Sequence, residues 1–320
     1  MNICIIGGSG FIGTYLMELL SKNNIVYNLD KAADSNNINH IKVDVTNHAA
    51  LVAAFPEAID IVILLAAEHK DNVSPNSLYY DVNVEGTRNV LRVMDEKRVS
   101  KILFTSSVAV YGLNKVNPNE ESPTNPFNDY GKSKLMAEEV LRSWYKSDAN
   151  NTLIIIRPTV VFGPGNKGNV YNLLTQIVRG KFIMIGNGNN IKSMAYVENI
   201  VSFIITCISS LNNGYYLFNY ADKPDISTRQ LVQKVEELMD KQIIPIKVPY
   251  WIGYAGGVFL DIIGKISGKK FSISAVRIKK FCATTQFSSI TANTLNFNPS
   301  FTLFDGLSKT VSSIQSELNN

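Results

Sequence analysis

MNICIIGGSGFIG, residues 1–13, is the stretch that decides the fold. A short apolar run is followed by Gly7, Gly8, Gly10 and Gly13. The last three of these fit the pattern G-x-G-x-x-G, and the first, third and fourth fit the related G-x-x-G-x-x-G. Glycines are needed there because the turn takes dihedrals that side chains oppose, and because the backbone must approach a pyrophosphate. The stretch therefore predicts a strand, a turn and a helix whose positive amino end faces a bound dinucleotide.

Acidic residues follow the second and third predicted strands. Asp30 lies twenty residues after Gly10, where a carboxylate accepts hydrogen bonds from the adenine ribose. A carboxylate there repels a 2′-phosphate and favours NAD over NADP, although the neighbouring Lys31 weakens that preference. A solvated turn residue is the structural alternative. Asp44 is a candidate for the adenine edge of the cofactor, with a structural role indicated almost as strongly.

The first half of the chain alternates short apolar runs with amphipathic stretches, which is typical of β-α-β units in a parallel sheet. Strands are predicted near 2–6, 25–29, 40–43, 61–65, 101–105 and 153–156, and helices at 11–22, 49–55, 77–97 and 130–145. The pattern predicts an α/β fold with a Rossmann-type doubly wound parallel sheet.

The second half changes to loops rich in Gly, Pro and Asn, with shorter helices predicted at 197–208, 228–239 and 304–318. We expect residues 1–160 to form the NAD-binding domain, which also carries the catalytic residues. Residues 161–320 are expected to form a smaller, mixed carboxy-terminal lobe that binds the substrate and is interleaved with the first domain.

Composition excludes several classes of protein. The 320 residues are 45% hydrophobic and carry a formal charge of +4, which argues against disorder. Because no run of five or six like charges occurs, a nucleic-acid partner is not expected. The three cysteines and three histidines lack the spacing of a disulfide framework or a metal site, so no metal is predicted.

Cysteine usage fits a reducing cytoplasm, and the amino terminus has neither a positive region nor a long apolar run. The most apolar later stretch, 250–263, contains three glycines and Asp261 and is too short to span a bilayer. A helix that lies in a membrane interface is an alternative for this stretch. We expect a cytoplasmic protein without a membrane span.

A Tyr-x-x-x-Lys spacing places both side chains on one face of a helix. It occurs three times, but Tyr27 lies in a predicted strand and Tyr111 in a loop. Only Tyr130 and Lys134 lie at the start of an amphipathic helix, after the cap candidate Asn128. The ammonium is expected to lower the tyrosine pKa for acid–base work and to hold the nicotinamide ribose.

Hydroxyl groups end the fifth predicted strand. Ser106 and Ser107 lie at a carboxyl strand end, where open α/β sheets bind ligands, and Ser107 is twenty-three residues before Tyr130. A hydroxyl there donates to a substrate oxygen while the tyrosine moves its proton. Taken alone, two serines at this position are also typical of a turn.

Together these residues resemble the extended short-chain dehydrogenase/reductase family, in its NAD-dependent nucleotide-sugar epimerase/dehydratase branch. The resemblance covers nearly the whole chain, from GGSGFIG through the serine, tyrosine and lysine to Tyr196-Val197-Glu198-Asn199 and Phe304-Asp305-Gly306-Leu307. It implies that Ser107, Tyr130 and Lys134 are catalytic. It also implies a homodimer that packs through the helices at 77–97 and 130–145.

The resemblance implies two further groups of site residues. The residues expected to contact the cofactor are Gly7, Gly10, Phe11, Ile12, Gly13, Asp30, Asp44, Val45, Leu65, Ala66, Ala67, Asn83, Thr105, Tyr130, Lys134, Arg157, Pro158 and Val160. The residues expected to contact the substrate are Glu68, His69, Ser107, Val108, Asn169, Lys192 and Arg277. Lys192 stands where the family often has an arginine, and it would meet a phosphate as a point charge.

Departures from the family pattern narrow the chemistry. Dehydratases of the family carry Thr-Asp-Glu where this chain reads Ser107-Val108-Ala109, so a 4,6-dehydratase is not predicted. Many sugar epimerases have an Asn soon after the sixth strand, whereas this chain has aliphatic residues there. The sequence predicts hydride transfer at C4 of a nucleotide-diphosphosugar, by an epimerase or a 4-ketoreductase. A 3β-hydroxysteroid or flavonoid-type dehydrogenase and a non-catalytic NAD-sensing protein are the alternatives.

Overall fold

Strands and helices alternate along the chain, whose computed structural model describes residues 1–33, 39–70, 73–242, 246–268, 274–289 and 295–319. The first part contains β1 (Asn2–Ile6), α1 (Phe11–Leu20), β2 (Ile25–Asp30), β3 (His40–Lys42), α2 (His48–Ala54), β4 (Ile61–Leu64), α3 (Ser77–Tyr80), a π-helical turn (Asp81–Glu85), α4 (Gly86–Glu96), β5 (Lys101–Thr105), a 3₁₀ turn (Val108–Tyr111), α5 (Asp129–Ser147), β6 (Thr152–Pro158) and β7 (Val160–Phe162). The second part contains α6 (Asn169–Val178), β8 (Ile183–Ile185), β9 (Ile191–Tyr196), α7 (Val197–Ser210), β10 (Tyr215–Tyr220), β11 (Asp222–Ser227), α8 (Thr228–Met239), β12 (Ile246–Val248), α9 (Tyr250–Ser267), α10 (Ala275–Cys282) and α11 (Leu303–Asn319).

The main sheet has seven parallel strands in the order β10-β6-β5-β4-β1-β2-β3. The chain reverses direction across the sheet between β1 and β4, which places a crevice at the carboxyl ends of these strands. This order confirms the predicted doubly wound parallel sheet.

Helices cover both faces of the sheet, because its strands bury side chains on both sides. In β1, Ile3 and Ile5 join one apolar core, and Cys4 and Ile6 join the other. This arrangement fixes β1 at the centre of the sheet, so the glycine turn that follows it is held from both sides.

The second half of the chain contributes β10, which pairs with β6 and is the seventh strand of the main sheet. It also forms a mixed sheet in the order β11-β9-β7 and a short pair of β12 with β8. The second half of the chain therefore completes the main sheet and also forms two smaller sheets, and its division into a separate substrate-binding lobe remains a prediction. No helix among the described residues is both long enough and apolar enough to cross a bilayer.

The helix predicted over 77–97 is present, but it contains a π-helical turn that the sequence did not indicate. The segment consists of α3, the π-helical turn and α4, because the turn at Asp81–Glu85 admits an extra residue. Asn83 in this turn accepts a hydrogen bond from the backbone N–H of Glu68 (2.8 Å) and donates to the Ser133 hydroxyl (2.9 Å). These bonds connect the helix to the end of β4 and to α5.

Candidate active site

The glycine turn after β1 leaves no room for side chains. Gly7 has a φ of +92°, and a Cβ on it would lie 2.5 Å from the backbone nitrogen of Ala66. A Cβ on Gly13 would lie 2.4 Å from the carbonyl oxygen of Gly8. The turn therefore holds α1 close to β1 and presents bare backbone at the amino end of a ten-residue helix.

Asp30 ends β2 directly beside this turn. Its carboxylate accepts hydrogen bonds from the backbone N–H groups of Ser9 (3.0 Å) and Ala32 (2.8 Å). The cradle of bare backbone and the adjacent carboxylate fit the pyrophosphate and the adenine ribose of NAD. The glycine turn and Asp30 would therefore hold the cofactor at the carboxyl ends of β1 and β2.

Other residues predicted to contact the cofactor lie at the same edge of the sheet. Leu65 and Ala66 follow β4, and their N–H groups both donate to the carbonyl oxygen of Ile6 at 2.8 Å. The Asp44 carboxylate accepts from the backbone N–H (2.9 Å) and the hydroxyl (2.8 Å) of Thr46. Asp44 therefore shapes the turn before α2, and its role at the adenine remains a prediction.

Ser107 and Tyr130 are brought together at the carboxyl end of β5. Ser107 caps the 3₁₀ turn by accepting a hydrogen bond from the Ala109 N–H at 3.1 Å, and its hydroxyl lies near enough to Tyr130 to lower the pKa of that tyrosine. Tyr130 is in the first turn of α5, whose amino end is capped by Asn128. The structure thus joins two of the three residues predicted to be catalytic.

Gly131 makes this approach possible. A Cβ at this position would lie 2.7 Å from the carbonyl oxygen of Ala109, so only glycine lets α5 approach the turn after Ser107 this closely. Sequence reasoning missed this residue, because a glycine near the start of a helix gives no sign of what it will contact.

The environment of Tyr130 differs from the expectation. Burial raises the pKa of Tyr130, and the hydrogen bond from Ser107 lowers it only in part. The predicted net lowering of this pKa is therefore wrong for the structure, because loss of hydration outweighs the groups that favour the phenolate.

Lys134 lies one turn further along α5 and is fully enclosed. Its Nζ donates to the carbonyl oxygen of Thr105 at 2.7 Å and lies 4.4 Å from the centroid of the Phe104 ring. Burial lowers the pKa of Lys134 to about 7, against the opposing effect of the Glu138 carboxylate. Lys134 therefore changes charge near neutral pH in this environment.

Arg157 has partners that the sequence did not reveal. Its Nε and Nη2 donate to the two carboxylate oxygens of the buried Glu138 at 2.8 and 2.6 Å, and its Nη1 donates to the Tyr111 hydroxyl at 2.7 Å. Burial alone would raise the Glu138 pKa, but Arg157 holds it below the usual range. This fork binds β6 to α5, and a cofactor contact by Arg157 remains a prediction.

The residues predicted to contact the substrate differ from one another in burial and in bonding partners. The Nζ of Lys192 donates to the carbonyl oxygens of Lys280 (2.8 Å) and Ala283 (2.6 Å), so it joins β9 to the end of α10. Burial lowers the pKa of Lys192 to about 8. His69 and Asn169 are exposed, Glu68 is half-buried and Val108 is buried.

Comparison with known proteins decides the family. Residues 3–219 match the NAD dependent epimerase/dehydratase family, which is more than half of the chain. The chain belongs to this family. A family member from Escherichia coli O157:H7, named N-acetyl-alpha-D-glucosaminyl-diphospho-ditrans,octacis-undecaprenol 4-epimerase, is 52% identical, with 97% of this chain and 94% of the relative covered.

More distant members share the same architecture. The UDP-glucose 4-epimerase of Vibrio cholerae is 28% identical, with 97% of this chain and 94% of the relative covered. The structure of the Thermotoga maritima UDP-glucose 4-epimerase with UDP-glucose superposes with a TM-score of 0.79 at 21% identity, covering 99% of this chain and 100% of that one. The matches confirm the predicted family, the fold class, NAD as cofactor and an enzyme of the NAD-dependent epimerase/dehydratase class.

Proposed function

We propose that the protein is a 4-epimerase of an N-acetylhexosamine that is joined through a diphosphate to a polyprenyl carrier. The observation that carries the reaction type is the placement of Ser107, at the carboxyl end of β5, beside Tyr130 at the start of α5, with Lys134 one helical turn further along and bonded to the carbonyl oxygen of Thr105. The named activity of the relative that is 52% identical supports the sugar and the carrier.

Each residue of the site has a distinct task in this proposal. Tyr130 acts in its phenolate form: it takes the proton of the C4 hydroxyl as hydride leaves C4, and as the phenol it returns that proton when hydride comes back. Ser107 donates a hydrogen bond to the same oxygen and stabilises the charge that develops there. Lys134 orients the nicotinamide ribose. Bound NAD supplies the acceptor and donor of hydride at C4.

The configuration at C4 is inverted when the 4-keto sugar rotates within the site between the two hydride transfers. An epimerase therefore uses no net cofactor, whereas a ketoreductase consumes one equivalent for each product. Both outcomes use the same Ser107, Tyr130 and Lys134. The family relatives named as 4-epimerases favour the first outcome.

The carrier distinguishes two candidate substrates. The second candidate, besides the polyprenyl-linked sugar, is the nucleotide-diphosphosugar that the sequence predicts. The Vibrio cholerae relative, which is named for UDP-glucose, supports it. Both carriers present the same diphosphate next to the sugar. We favour the polyprenyl carrier because the relative named for it shares about twice as much sequence identity with this chain.

The test compares the two carriers with one enzyme preparation. The purified protein is checked for NAD(H), then incubated with N-acetylglucosaminyl-diphospho-polyprenol in detergent and, separately, with UDP-N-acetylglucosamine. We expect faster conversion of the lipid substrate to its C4 epimer, with no change in NADH absorbance. Stoichiometric reduction of added NAD to NADH, with a 4-keto sugar as the product, would identify a dehydrogenase or ketoreductase, and faster conversion of the UDP sugar would overturn the polyprenyl assignment. The predicted homodimer and cytoplasmic location remain proposals, which light scattering and cell fractionation would test.

A further inference from the structure

Helix α9 exposes its large apolar side chains. Among the described residues, twenty large hydrophobic side chains are exposed, and eight of them lie on this one helix. The most exposed are Ile266 (82%), Trp251 (71%) and Phe259 (63%). The eight residues are Tyr250, Trp251, Ile252, Tyr254, Val258, Phe259, Ile262 and Ile266. Such a concentration indicates an interaction surface, because single exposed apolar residues are normally scattered.

The spacing of these residues makes a continuous stripe. Trp251, Val258, Ile262 and Ile266 follow one another at intervals of seven, four and four residues, which places them on one side of a helix. Phe259 lies at the edge of the same stripe. The outer face of α9 is therefore as apolar as the inner face of an ordinary surface helix.

The face of α9 that packs on the protein carries glycines. A Cβ on Gly253 would lie 2.7 Å from the side chain of Ile185 in β8, and a Cβ on Gly257 would lie 2.8 Å from the backbone nitrogen of Ala275 in α10. Asp261, the one acidic residue of the helix, accepts a hydrogen bond from the Ala275 N–H at 3.0 Å. Helix α9 therefore packs closely against the protein. Its exposed face is apolar, whereas the exposed face of an ordinary surface helix is polar.

The charge around α9 suits an anionic surface. Residues 246–282 contain seven Lys and Arg and one acidic residue, so this segment carries +6 while the whole chain carries +4. The rest of the chain is therefore slightly negative. An apolar stripe with aromatic residues at one end, in a segment of the sequence rich in lysine, is typical of helices that lie in the interface of anionic membranes.

An apolar cavity of about 310 Å³ opens beside the helix, between α9, α10, β8 and β12. Its walls are formed almost entirely by aliphatic and aromatic carbon atoms. A hydrocarbon chain that enters from the outer face of α9 would therefore find apolar walls rather than unpaired polar groups.

Helix α10 connects this surface to the active site. It packs against α9 on one side, and on the other the ammonium groups of Lys279 and Lys280 lie 5.9 and 5.8 Å from the centroid of the Phe127 ring. Phe127 is three residues before Tyr130. Positive charge is thus placed between the apolar helix and the amino end of α5.

We propose that α9 docks in the interface of an anionic phospholipid bilayer and holds the active site at the membrane surface. A second copy of the chain is a poorer occupant, because a two-fold interface would bring the two +6 segments together. The proposal rests on α9 and its surroundings rather than on the reaction. It deepens the proposed function by placing the enzyme where a lipid-linked sugar is found.

Trp251 provides a direct test. The full-length protein is mixed with vesicles of phosphatidylcholine with and without phosphatidylglycerol, and binding is followed by co-sedimentation and by quenching of tryptophan fluorescence with brominated lipid. Because Trp144 is buried in the core, the change in emission reports on Trp251. We expect binding to the anionic vesicles, with a blue shift and quenching, and weaker binding in high salt.

The variant Phe259→Ser with Ile266→Ser keeps Trp251 as the reporter. We expect it to fold like wild type, because both side chains are exposed, and to bind anionic vesicles at least about tenfold more weakly. The matched control is Ile25→Ser with Val116→Ser, which removes two exposed apolar side chains far from α9 in sequence and should bind like wild type.

Several outcomes would overturn the proposal. Wild-type protein that stays in the supernatant with anionic vesicles contradicts it, and so does equal binding by the two double variants. A wild-type dimer that becomes a monomer in the Phe259 and Ile266 variant, without vesicle binding, would assign the surface to a second copy. Since no substrate is present, failure of the proposed reaction leaves this test unaffected.

Discussion

Gly131 lies so close to Ala109 that a Cβ on the glycine would be 2.7 Å from the alanine carbonyl oxygen. The obstacle is backbone rather than a flexible side chain, so α5 must move when the glycine is replaced. Tyr130 would move with it, away from Ser107. The contact between Gly131 and Ala109 therefore sets the position of Tyr130, the proposed acid–base residue, relative to Ser107.

Gly131→Ala should lower kcat by about 10²-fold while the protein remains folded, because a displacement of about 1 Å at a reacting group has that effect. The measurement is steady-state kinetics alongside circular dichroism. Met136→Ala, at an exposed position of the same helix, is the control and should retain wild-type kcat. A Gly131→Ala enzyme with wild-type kcat would show that the close approach of α5 is dispensable.

Ser107→Ala should reduce kcat by about 10²- to 10³-fold, as expected when a donor to the developing charge is lost. It should also shift the pH profile. The Ser107 hydrogen bond lowers the Tyr130 pKa against the effect of burial, so its removal raises that pKa further. The limb of the profile that reports tyrosine deprotonation should move to higher pH. An unchanged profile for kcat/KM would remove Ser107 from the acid–base step.

Glu138→Gln should destabilise the fold by about 3–5 kcal/mol, because it leaves the buried Arg157 without its paired charge. Glu138 is fully buried and also accepts hydrogen bonds from Arg142 and Ser106, both at 2.5 Å. Urea denaturation measures the loss. The adjacent Glu139 is exposed, and Glu139→Gln should change the free energy of unfolding by no more than about 0.5 kcal/mol.

Lys134 should make the free energy of unfolding increase with pH. Its pKa is about 7 in the folded protein against 10.5 in the unfolded chain, so the unfolded state binds more protons between these values. Stability from this group therefore rises as pH increases through that range. Between pH 7 and 9 the free energy of unfolding of nucleotide-free wild type should rise by about 2 kcal/mol relative to Lys134→Met. Parallel curves for the two proteins would show that the folded-state pKa is not depressed.

The central strands and the glycine turn were predictable from the sequence, because buried parallel strands are continuous apolar runs and the turn has a fixed glycine spacing. The strand β10 was not predicted. Its residues Tyr215–Tyr220 pair with β6, more than fifty positions earlier in the chain, and nothing local indicates that partner.

The candidate catalytic residues Tyr130 and Lys134 could be selected from the sequence because helical spacing places them on one face of a helix. The residues that hold the site in place could not be predicted from the sequence. The pairing of Glu138 with Arg157 links a helix to a strand, and Gly131 acts through a carbonyl group on another element. The pKa of Tyr130 was misjudged for a similar reason, since burial is a property of the packed structure.

The proposed reaction is tested most directly by conversion of N-acetylglucosaminyl-diphospho-polyprenol by wild type and by Tyr130→Phe. We expect wild type to yield the C4 epimer without net use of NAD. We expect Tyr130→Phe to bind NAD but to convert the substrate at least about 10²-fold more slowly, because the proton carrier is lost. Turnover by Tyr130→Phe at the wild-type rate would contradict the assignment of Tyr130 as the acid–base residue.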